Sequence, residues 1–340
     1  MTASTVKVPE PQTQQVPTPA SGALASFIRA KLQQSLAFAT LIVLLVFFSF
    51  ANSAFFTWSN ISGILLSTAV IGILALGTTF VIITGGIDLS IGTGMTLAAV
   101  MTGIFLVNMD LPFIVGVLGG IATGALMGVI NGVNIAVLKL PPFIATLAMM
   151  LIAQGLALVI SGVRPIYFSD VDGFKEIALG TLIPGLPNAV IILFGLAFVA
   201  YLILSKTILG RYTFALGSNE EATRLSGVDT RRWKILIYTL SGVFTGIAGV
   251  VIASRLDSAQ PQLGTGYELQ AIAAVIIGGT SLLGGRGSIL GTLIGALIMS
   301  VLINGLRIMS IQTEWQNVVV GAVILVAVFS DALRQRRSAS

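Results

Sequence analysis

The hydropathy pattern of this chain is a series of long apolar runs separated by short polar stretches. A helix needs about 20 predominantly apolar residues to cross the hydrocarbon core of a bilayer. Ten runs approach or reach that length, and the third and eighth are short. The runs lie at residues 35–56, 62–84, 91–107, 112–137, 143–163, 188–205, 234–254, 269–283, 288–306 and 316–333. The pattern predicts an all-α polytopic membrane protein with about ten transmembrane helices, including short or broken ones.

The polar ends of the chain divide it into three predicted parts. Residues 1–30 are mostly polar and contain four prolines, so we expect a disordered tail. Residues 31–334 form a single transmembrane domain, and residues 335–340 form a second, short tail. The first apolar run is too long for a cleavable signal peptide and lacks a cleavage pattern.

Basic residues predict how the chain is inserted. The segment 206–234 is the longest polar stretch between two apolar runs, and it holds six of the 18 Lys and Arg residues. Such residues accumulate in cytoplasmic loops. Ten spans place both tails and this segment on one side and the loop 164–187 on the other, so both termini are predicted to be cytoplasmic. Trp58, Trp233 and Trp315 lie at span ends, which is typical of membrane-interface tryptophans.

The centre of the 206–234 segment has the pattern of a short, capped helix. The Ser218 hydroxyl is a candidate N-cap, and Glu221 stands three residues later, where it could complete a capping box. Gly227 follows at the distance where a left-handed residue would end two helical turns. A self-capped helix between two membrane spans suggests a docking element for a partner. The alternative is an ordinary positively charged cytoplasmic loop.

Composition excludes several classes of chemistry. The chain is 55% hydrophobic and 9% charged, against about 25% charged residues in soluble domains. It contains no cysteine and no histidine, which removes thiol chemistry, disulfides and the commonest metal ligand. No GxxxxGK[ST] phosphate loop and no nucleophile–base pair stand out, so we expect neither an enzyme nor a bound cofactor or metal. Membrane insertion explains the net charge of +5, which does not indicate nucleic-acid binding.

Two glycine-rich segments resemble one another. They read GGIDLSIGTG at 85–94 and GGTSLLGGRG at 278–287, each after an apolar run and before a span. Transporters use such breaks in membrane helices, although a pair of glycine turns would look the same. Asp88 lies in the first break, where it could cap the following helix. Gly120, Gly124 and Gly128, spaced four apart, indicate close helix packing.

The spans carry neutral hydrogen-bonding groups and almost no acids. Scarce mid-membrane acids argue against an ion-driven carrier. Neutral amides and hydroxyls suit a neutral, polyhydroxylated solute, and the alternative is hydrogen bonding between helices. The candidate pathway residues are Ser67, Thr68, Asn131, Asn134, Gln154 and Asn304.

Five stretches make the chain resemble a known family, the transmembrane permease subunit of ribose-type ABC sugar importers. The stretches are GGIDLSIG at 85–92, FIATLAMM at 143–150, LGRYTFALGSNEEATRLSGV at 209–228, SAQPQLGTGYELQAIAAVIIGGTSLLGGRGSILGTLIGAL at 258–297, and INGL at 303–306. The resemblance runs from about Ser35 to Leu333.

The resemblance implies a ten-span subunit of the bacterial inner membrane that works as a pair and translocates a monosaccharide, with ribose preferred. A cytoplasmic ABC ATPase and an extracytoplasmic sugar-binding protein are the implied partners, which accounts for the missing phosphate loop. The 206–234 segment corresponds to the family's coupling loop. Its EAA-xxx-G pattern is present as Glu221, Ala222 and Thr223 followed by Gly227, with Thr in the third position and the later I-x-L-P missing.

The resemblance also assigns two candidate contact surfaces. The ATPase-coupling residues are Ser218, Asn219, Glu220, Glu221, Arg224, Leu225 and Gly227. The candidate binding-protein docking residues are Arg164, Asp170, Asp172, Lys175, Arg255 and Asp257, with Glu176 beside them. Ion pairs at such a surface would orient the partner more than they would strengthen binding.

Alternative functions remain open at this point. A permease of the same kind could carry xylose, galactose or an autoinducer-type sugar, or more distantly a branched amino acid. A stand-alone facilitator for a small neutral solute would use the same spans without ATP. The sequence decides neither the sugar nor whether the permease pairs with itself or with a related second chain.

Overall fold

A computed structural model describes residues 19–339, and these residues are mostly helical. The helices are α1 Pro19–Ala51, α2 Trp58–Ile83, α3 Ile91–Gly103, α4 Phe113–Ala136, α5 Pro142–Ser161, α6 Glu176–Leu179, α7 Asn188–Lys206, α8 Ile208–Ser218, α9 Glu220–Leu225, α10 Thr230–Leu256, α11 Tyr267–Ile277, α12 Ile289–Ile308 and α13 Thr313–Ala339. A π-helical turn, Ile104–Asn108, continues α3. Two short strands, β1 Ile166–Tyr167 and β2 Ser258–Ala259, pair antiparallel.

Within residues 19–339, eight helices are long and apolar enough to cross a membrane. Two shorter apolar helical stretches, Ser35–Ala51 and Tyr267–Ile277, coincide with the first and eighth predicted spans. The prediction of a mostly helical membrane protein is confirmed, with eight helices of spanning length and hydropathy among the described residues. Each tryptophan predicted at a span end lies in the first turn or so of a helix, in α2, α10 and α13.

The chain ends differ from the predicted tails. Helix α1 begins at Pro19, so residues 19–30 are helical where a disordered tail was expected. Helix α13 continues to Ala339, through most of the predicted second tail at 335–340. Apolar periodicity places the spans correctly but does not show how far a helix extends beyond the bilayer. Residues 1–18 and Ser340 lie outside the described residues.

Helices α4 and α10 make the most extensive helix pairing in the described chain, and glycine allows it. A Cβ atom at Gly124 would overlap the carbonyl oxygen of Gly242, and one at Gly128 would overlap that of Tyr238. At Gly120 the obstacle would be the Thr102 hydroxyl on α3. The prediction that these three glycines mark close helix packing is therefore confirmed.

Replacing Gly124 with valine should separate α4 from α10. The first added carbon would lie 2.7 Å from Gly246 Cα, besides its overlap with Gly242, and overpacking of this kind costs about 1–3 kcal/mol. We expect a lower thermal midpoint for the detergent-solubilised protein. Gly155→Val on α5 is the matched control, because nothing lies within 4 Å of a Cβ there. Equal midpoints for the two variants would contradict the packing role.

Two helices begin inside the bundle, and their N-termini meet. Helix α11 has 11 residues, about 16 Å, whereas α2 with 26 residues spans about 39 Å at 1.5 Å per residue. A Cβ atom at Gly264, just before α11, would overlap the Gly92 carbonyl oxygen in the first turn of α3. Non-helical backbone leads into both α3 and α11, through 84–90 and 257–266. Such backbone is tolerated at membrane depth only where protein shelters it or where it lines a cavity.

The two glycine-rich segments turn out to be different structures that touch. The first precedes α3, as the predicted break requires, but the second is the turn between α11 and α12. They touch where a Cβ atom at Gly284 would lie 2.9 Å from the Gly85 nitrogen. The Gly285 N–H donates to the carbonyl oxygen of Ile83, the last residue of α2, at 2.8 Å. The structural counterpart of the first break is 257–266 instead. We name the two ends of the bundle the α9 end, which holds this contact, and the strand end, which holds β1 and β2.

A packed cap closes part of the strand end. The rings of Phe168 and Phe174 stack with centroids 4.0 Å apart, and both side chains are buried. The Ser254 hydroxyl near the end of α10 donates to the Phe174 carbonyl oxygen at 2.7 Å and accepts from the Ala178 N–H at 2.9 Å. The connection between α5 and α7 is thereby fixed to α10.

Candidate functional site

Helix α9 is a separate short helix held by its own caps. The Asn219 backbone is extended, with φ −164° and ψ 101°, and its Oδ1 accepts from the Ala222 N–H at 2.9 Å. At the other end Gly227 has φ +85°, a left-handed conformation that suits glycine. The prediction of a short capped helix followed by a left-handed glycine is confirmed.

The predicted N-cap was one residue early. Ser218 is the last residue of α8, and Asn219 is the N-cap. The third helical position is therefore occupied by Ala222, which has no side-chain oxygen to complete a capping box. Glu221 bonds to Arg224 instead. Both Ser and Asn are good N-caps, so composition alone did not separate them.

Removing the Asn219 cap should loosen α9, whereas removing the Ser218 hydroxyl should not. An Asn→Ala change at an N-cap costs about 1 kcal/mol. For Asn219→Ala we expect trypsin to cleave after Arg224 several-fold faster in the solubilised protein. Ser218→Ala serves as the matched control. Faster cleavage in the serine variant alone would restore the capping assignment made from the sequence.

The exposed side of α9 carries paired charge and one apolar residue. Arg224 and Glu221 form an ion pair at 2.6 Å, with both side chains more than 60% exposed. The hydrogen bond from Arg224, together with its charge, lowers the pKa of the Glu221 carboxyl below its ordinary value. Leu225 is 76% exposed beside them. A surface with a fixed carboxylate–guanidinium pair and an exposed leucine can bind a partner protein through both charge and apolar contact.

Helix α9 is also fixed to its neighbours. Lys234 Nζ in α10 lies 2.7 Å from the Glu220 carboxylate, an ion pair that joins α9 to α10. The Asp229 carboxylate accepts from the N–H groups of Arg231 and Arg232 and so caps α10. Because these links are short, a displacement of α9 would be transmitted to α10.

Three backbone segments meet at a junction directly behind α9, at Gly217, Ile83 and Gly285. This junction was not predicted from the sequence. At Gly217, near the end of α8, an added Cβ atom would overlap the Ile83 carbonyl oxygen and lie 2.5 Å from the Gly285 nitrogen. The backbone leading into α9 therefore touches the end of α2 and the second glycine-rich segment. The repeated glycines were the available signal, but nothing in the sequence indicated that Gly217 packs against Gly285.

In the part of the chain that the structure describes, no side-chain hydrogen bond joins any two of the six candidate pathway residues. Thr68 bonds within its own helix, to the Ile64 carbonyl oxygen, and Asn304 Nδ2 donates to Asn60 Oδ1 at 2.9 Å between α12 and α2. Asn134 and Gln154 are half-buried, on α4 and α5. Helix–helix hydrogen bonding, the alternative from the sequence, describes the Asn304 contact.

Asn131 belongs to a buried polar cluster at the start of α3. Its Nδ2 donates to the Ser90 hydroxyl at 2.9 Å, and that hydroxyl donates to the Asp88 carboxylate at 2.6 Å. Asp88 also accepts from the Ser90 N–H at 3.0 Å, but Ser90 occupies the N-cap position. The predicted capping role of Asp88 is therefore corrected to an indirect one. Asn131 Oδ1 is buried and has no hydrogen-bond partner among residues 19–339.

The predicted docking residues separate into an exposed group and an inward-facing group. Four are exposed at the strand end, namely Arg164, Asp170, Asp172 and Lys175, as is Glu176. Arg255 and Asp257 are half-buried. Arg255 Nη1 donates to the Ser67 hydroxyl at 3.2 Å, so it contacts a pathway candidate rather than the surface.

Eight helices long and apolar enough to cross a membrane and a short, capped polar helix at one end are the features of a multi-pass membrane protein. A family model described as "Branched-chain amino acid transport system / permease component" matches residues 60–328. The chain belongs to this permease family. It is a transport component of a bacterial inner membrane.

The chain is also similar to permeases named for sugars. The chain is 42% identical to the ribose import permease protein of Escherichia coli (strain K12), over 91% of this chain and 97% of that protein. It is also 42% identical to the ribose import permease protein of Bacillus subtilis (strain 168), over 86% of this chain and 91% of that one. The D-allose transport system permease protein of E. coli (strain K12) is 37% identical, over 86% and 89%. No solved structure matches the chain.

Proposed function

We propose that this chain is the membrane-spanning permease of an ATP-driven ABC importer that carries ribose across the inner membrane. The observation that carries the proposal is 42% identity to a ribose import permease over 91% of the chain. The D-allose permease is more distant, at 37%. The substrate order we infer is therefore ribose first, with related monosaccharides such as xylose, galactose or an autoinducer-type sugar as alternatives.

Three partners complete the transporter in this proposal. A separate ABC ATPase binds the α9 end, an extracytoplasmic sugar-binding protein binds the strand end, and a second permease, expected to be identical, forms the pair. Lys and Arg concentrate in the 206–234 segment, which supports a cytoplasmic α9 end with both termini on that side. With the two shorter apolar helical stretches counted, the chain would cross the membrane ten times.

The junction behind α9 provides a mechanism by which movement of the ATPase would reach the membrane spans. Closure of the ATPase pair would push α9, whose caps keep it rigid, and the push would reach α10 through the Lys234–Glu220 pair. Through Gly217 it would reach Ile83 at the end of α2, which leads into the segment 84–90 and α3. Alternation of access would follow, because α3 and α11 begin at the same point inside the bundle.

A stand-alone facilitator is the competing function. It would use the same neutral polar groups but would need neither the exposed Glu221–Arg224 pair nor a capped helix joined to two spans. The docking helix therefore favours an ATP-coupled permease.

Competition between sugars tests the substrate assignment. Proteoliposomes containing the permease, its ATPase and its binding protein would take up labelled ribose, and unlabelled sugars would be added at equal excess. We expect unlabelled ribose to suppress uptake most strongly, with allose and xylose weaker. A sugar that competes better than ribose would replace it as the substrate.

A further inference from the structure

A cavity of about 470 Å³ opens at the strand end, within the range of small-molecule sites, about 300–1,000 Å³. It lies between the residues that follow α5 and the segment that follows β2. Its lining residues are Val163, Pro165, Gln260, Pro261, Gln262 and Leu263. None of the six pathway candidates from the sequence is among them.

One wall of this cavity belongs to the backbone that descends to the centre of the bundle. The residues 260–263 are part of the non-helical segment 257–266, which starts at the strand end and reaches the first turn of α3 at Gly92. The pairing of β2 with β1 fixes the upper end of the segment. A solute in the cavity would thus lie beside a continuous non-helical path to the meeting point of α3 and α11.

Two of the six residues that line the cavity have amide side chains, and none of the six has a charged side chain. Gln260 Nε2 donates to the Ser258 hydroxyl at 3.1 Å, which holds the side chain in place and leaves its Oε1 as an acceptor. Gln262 is exposed and makes no side-chain hydrogen bond to the described residues. Each amide presents both donors and an acceptor, the combination that hydroxyl groups need. The other four lining residues are apolar, and two of them are prolines with fixed φ angles.

We propose that this cavity is the outer vestibule of the permease and that Gln260 and Gln262 are the first groups in the chain to bind the hydroxyls of the incoming sugar. The inference rests on the proposed function, because it supposes that a sugar arrives at the strand end. A lining of amides and apolar side chains suits a neutral polyol, whose hydroxyls both donate and accept hydrogen bonds.

The absence of cysteine from the chain permits a clean test. Gln262→Cys and Gln260→Cys would be labelled from outside with a membrane-impermeant thiol reagent in the reconstituted complete transporter. Gln312→Cys, exposed in the connection between α12 and α13 at the same end, is the matched control. Two quantities would be measured before and after labelling: ATP-driven ribose uptake, and ATP hydrolysis stimulated by the loaded binding protein.

We expect labelling at 260 or 262 to reduce uptake at least tenfold while stimulated hydrolysis stays within twofold, and labelling at 312 to change neither. Unchanged uptake after full labelling, or no labelling at either position, would overturn the vestibule. Equal loss of uptake and stimulation would also overturn it, since the surface would then dock the binding protein. Absence of uptake by the unlabelled permease would instead refute the proposed function, and the vestibule with it.

The role of the two amide side chains in binding the sugar is tested by a separate experiment. The double variant Gln260→Ala, Gln262→Ala should lower ribose uptake about fivefold to tenfold at subsaturating sugar, with stimulated hydrolysis retained, and Gln312→Ala should leave uptake unchanged. An unchanged rate in the double variant would remove the two glutamines from the sugar pathway.

Discussion

Replacing Gly217 with alanine is expected to uncouple the transporter. The added methyl group would overlap the Ile83 carbonyl oxygen and press on the Gly285 N–H, whose hydrogen bond joins the second glycine-rich segment to the end of α2. Overpacking at a close backbone contact costs about 1–3 kcal/mol, and the neighbouring backbone must shift to relieve it. Since α9 follows directly, the shift changes how its motion reaches α3. We expect ribose uptake to fall at least about tenfold while ATP hydrolysis continues.

Gly195→Ala is the matched control for this variant. It also replaces a helical glycine, but nothing lies within 4 Å of a Cβ at that position of α7. Alanine should stabilise α7 by up to about 1 kcal/mol and leave uptake unchanged. If Gly217→Ala transports ribose as efficiently as Gly195→Ala, the junction does not transmit the motion of α9.

Glu221→Lys should abolish coupled uptake without disturbing membrane insertion. Its pKa is lowered by Arg224, so the native carboxylate is ionised at neutral pH and the variant reverses a real charge. Because Glu221 is exposed, the fold should tolerate the change, and the loss should lie in the contact with the ATPase. Reversal of a charge that contacts a partner weakens binding at least about tenfold when the contact is central to the interface. Uptake and co-purification of the ATPase would both be measured.

A charge swap separates partner contact from helix stability. The double variant Glu221→Arg, Arg224→Glu keeps an ion pair within α9 but reverses its direction. If the partner recognises these charges, the double variant remains inactive. Recovery of uptake would show that the pair only stabilises α9, and the docking assignment would then be wrong.

The spans of this chain are predictable from sequence because lipid imposes a simple rule. Any crossing helix must be apolar over about 20 residues, and the predicted boundaries of α4, α5 and α7 lie within a few residues of the observed ones. The short helix α11 was harder to predict, because the segment 257–266 that leads into it lacks the glycine-rich repeat that marked 84–90. Polarity alone does not reveal how deep such a segment lies.

The capped helix α9 was predictable and the junction behind it was not. Local caps specify α9, so its existence followed from a few neighbouring residues, with an error of one position at Ser218. The contact of Gly217 with Ile83 and Gly285 joins residues far apart in the chain. From the sequence alone, a glycine that packs against the backbone of another segment cannot be distinguished from a glycine that faces open space, such as Gly195. The same limit explains why Gln260 and Gln262 were missed.

The most direct measurement is the steady-state ribose gradient across proteoliposomes that contain the permease, its ATPase and its binding protein. If the chain is the permease of an ATP-driven importer, ribose will accumulate above its external concentration when ATP and both partners are present. Omission of ATP or of either partner will prevent accumulation. Equilibration of ribose by the permease alone, without ATP, would contradict the importer proposal and identify a facilitator.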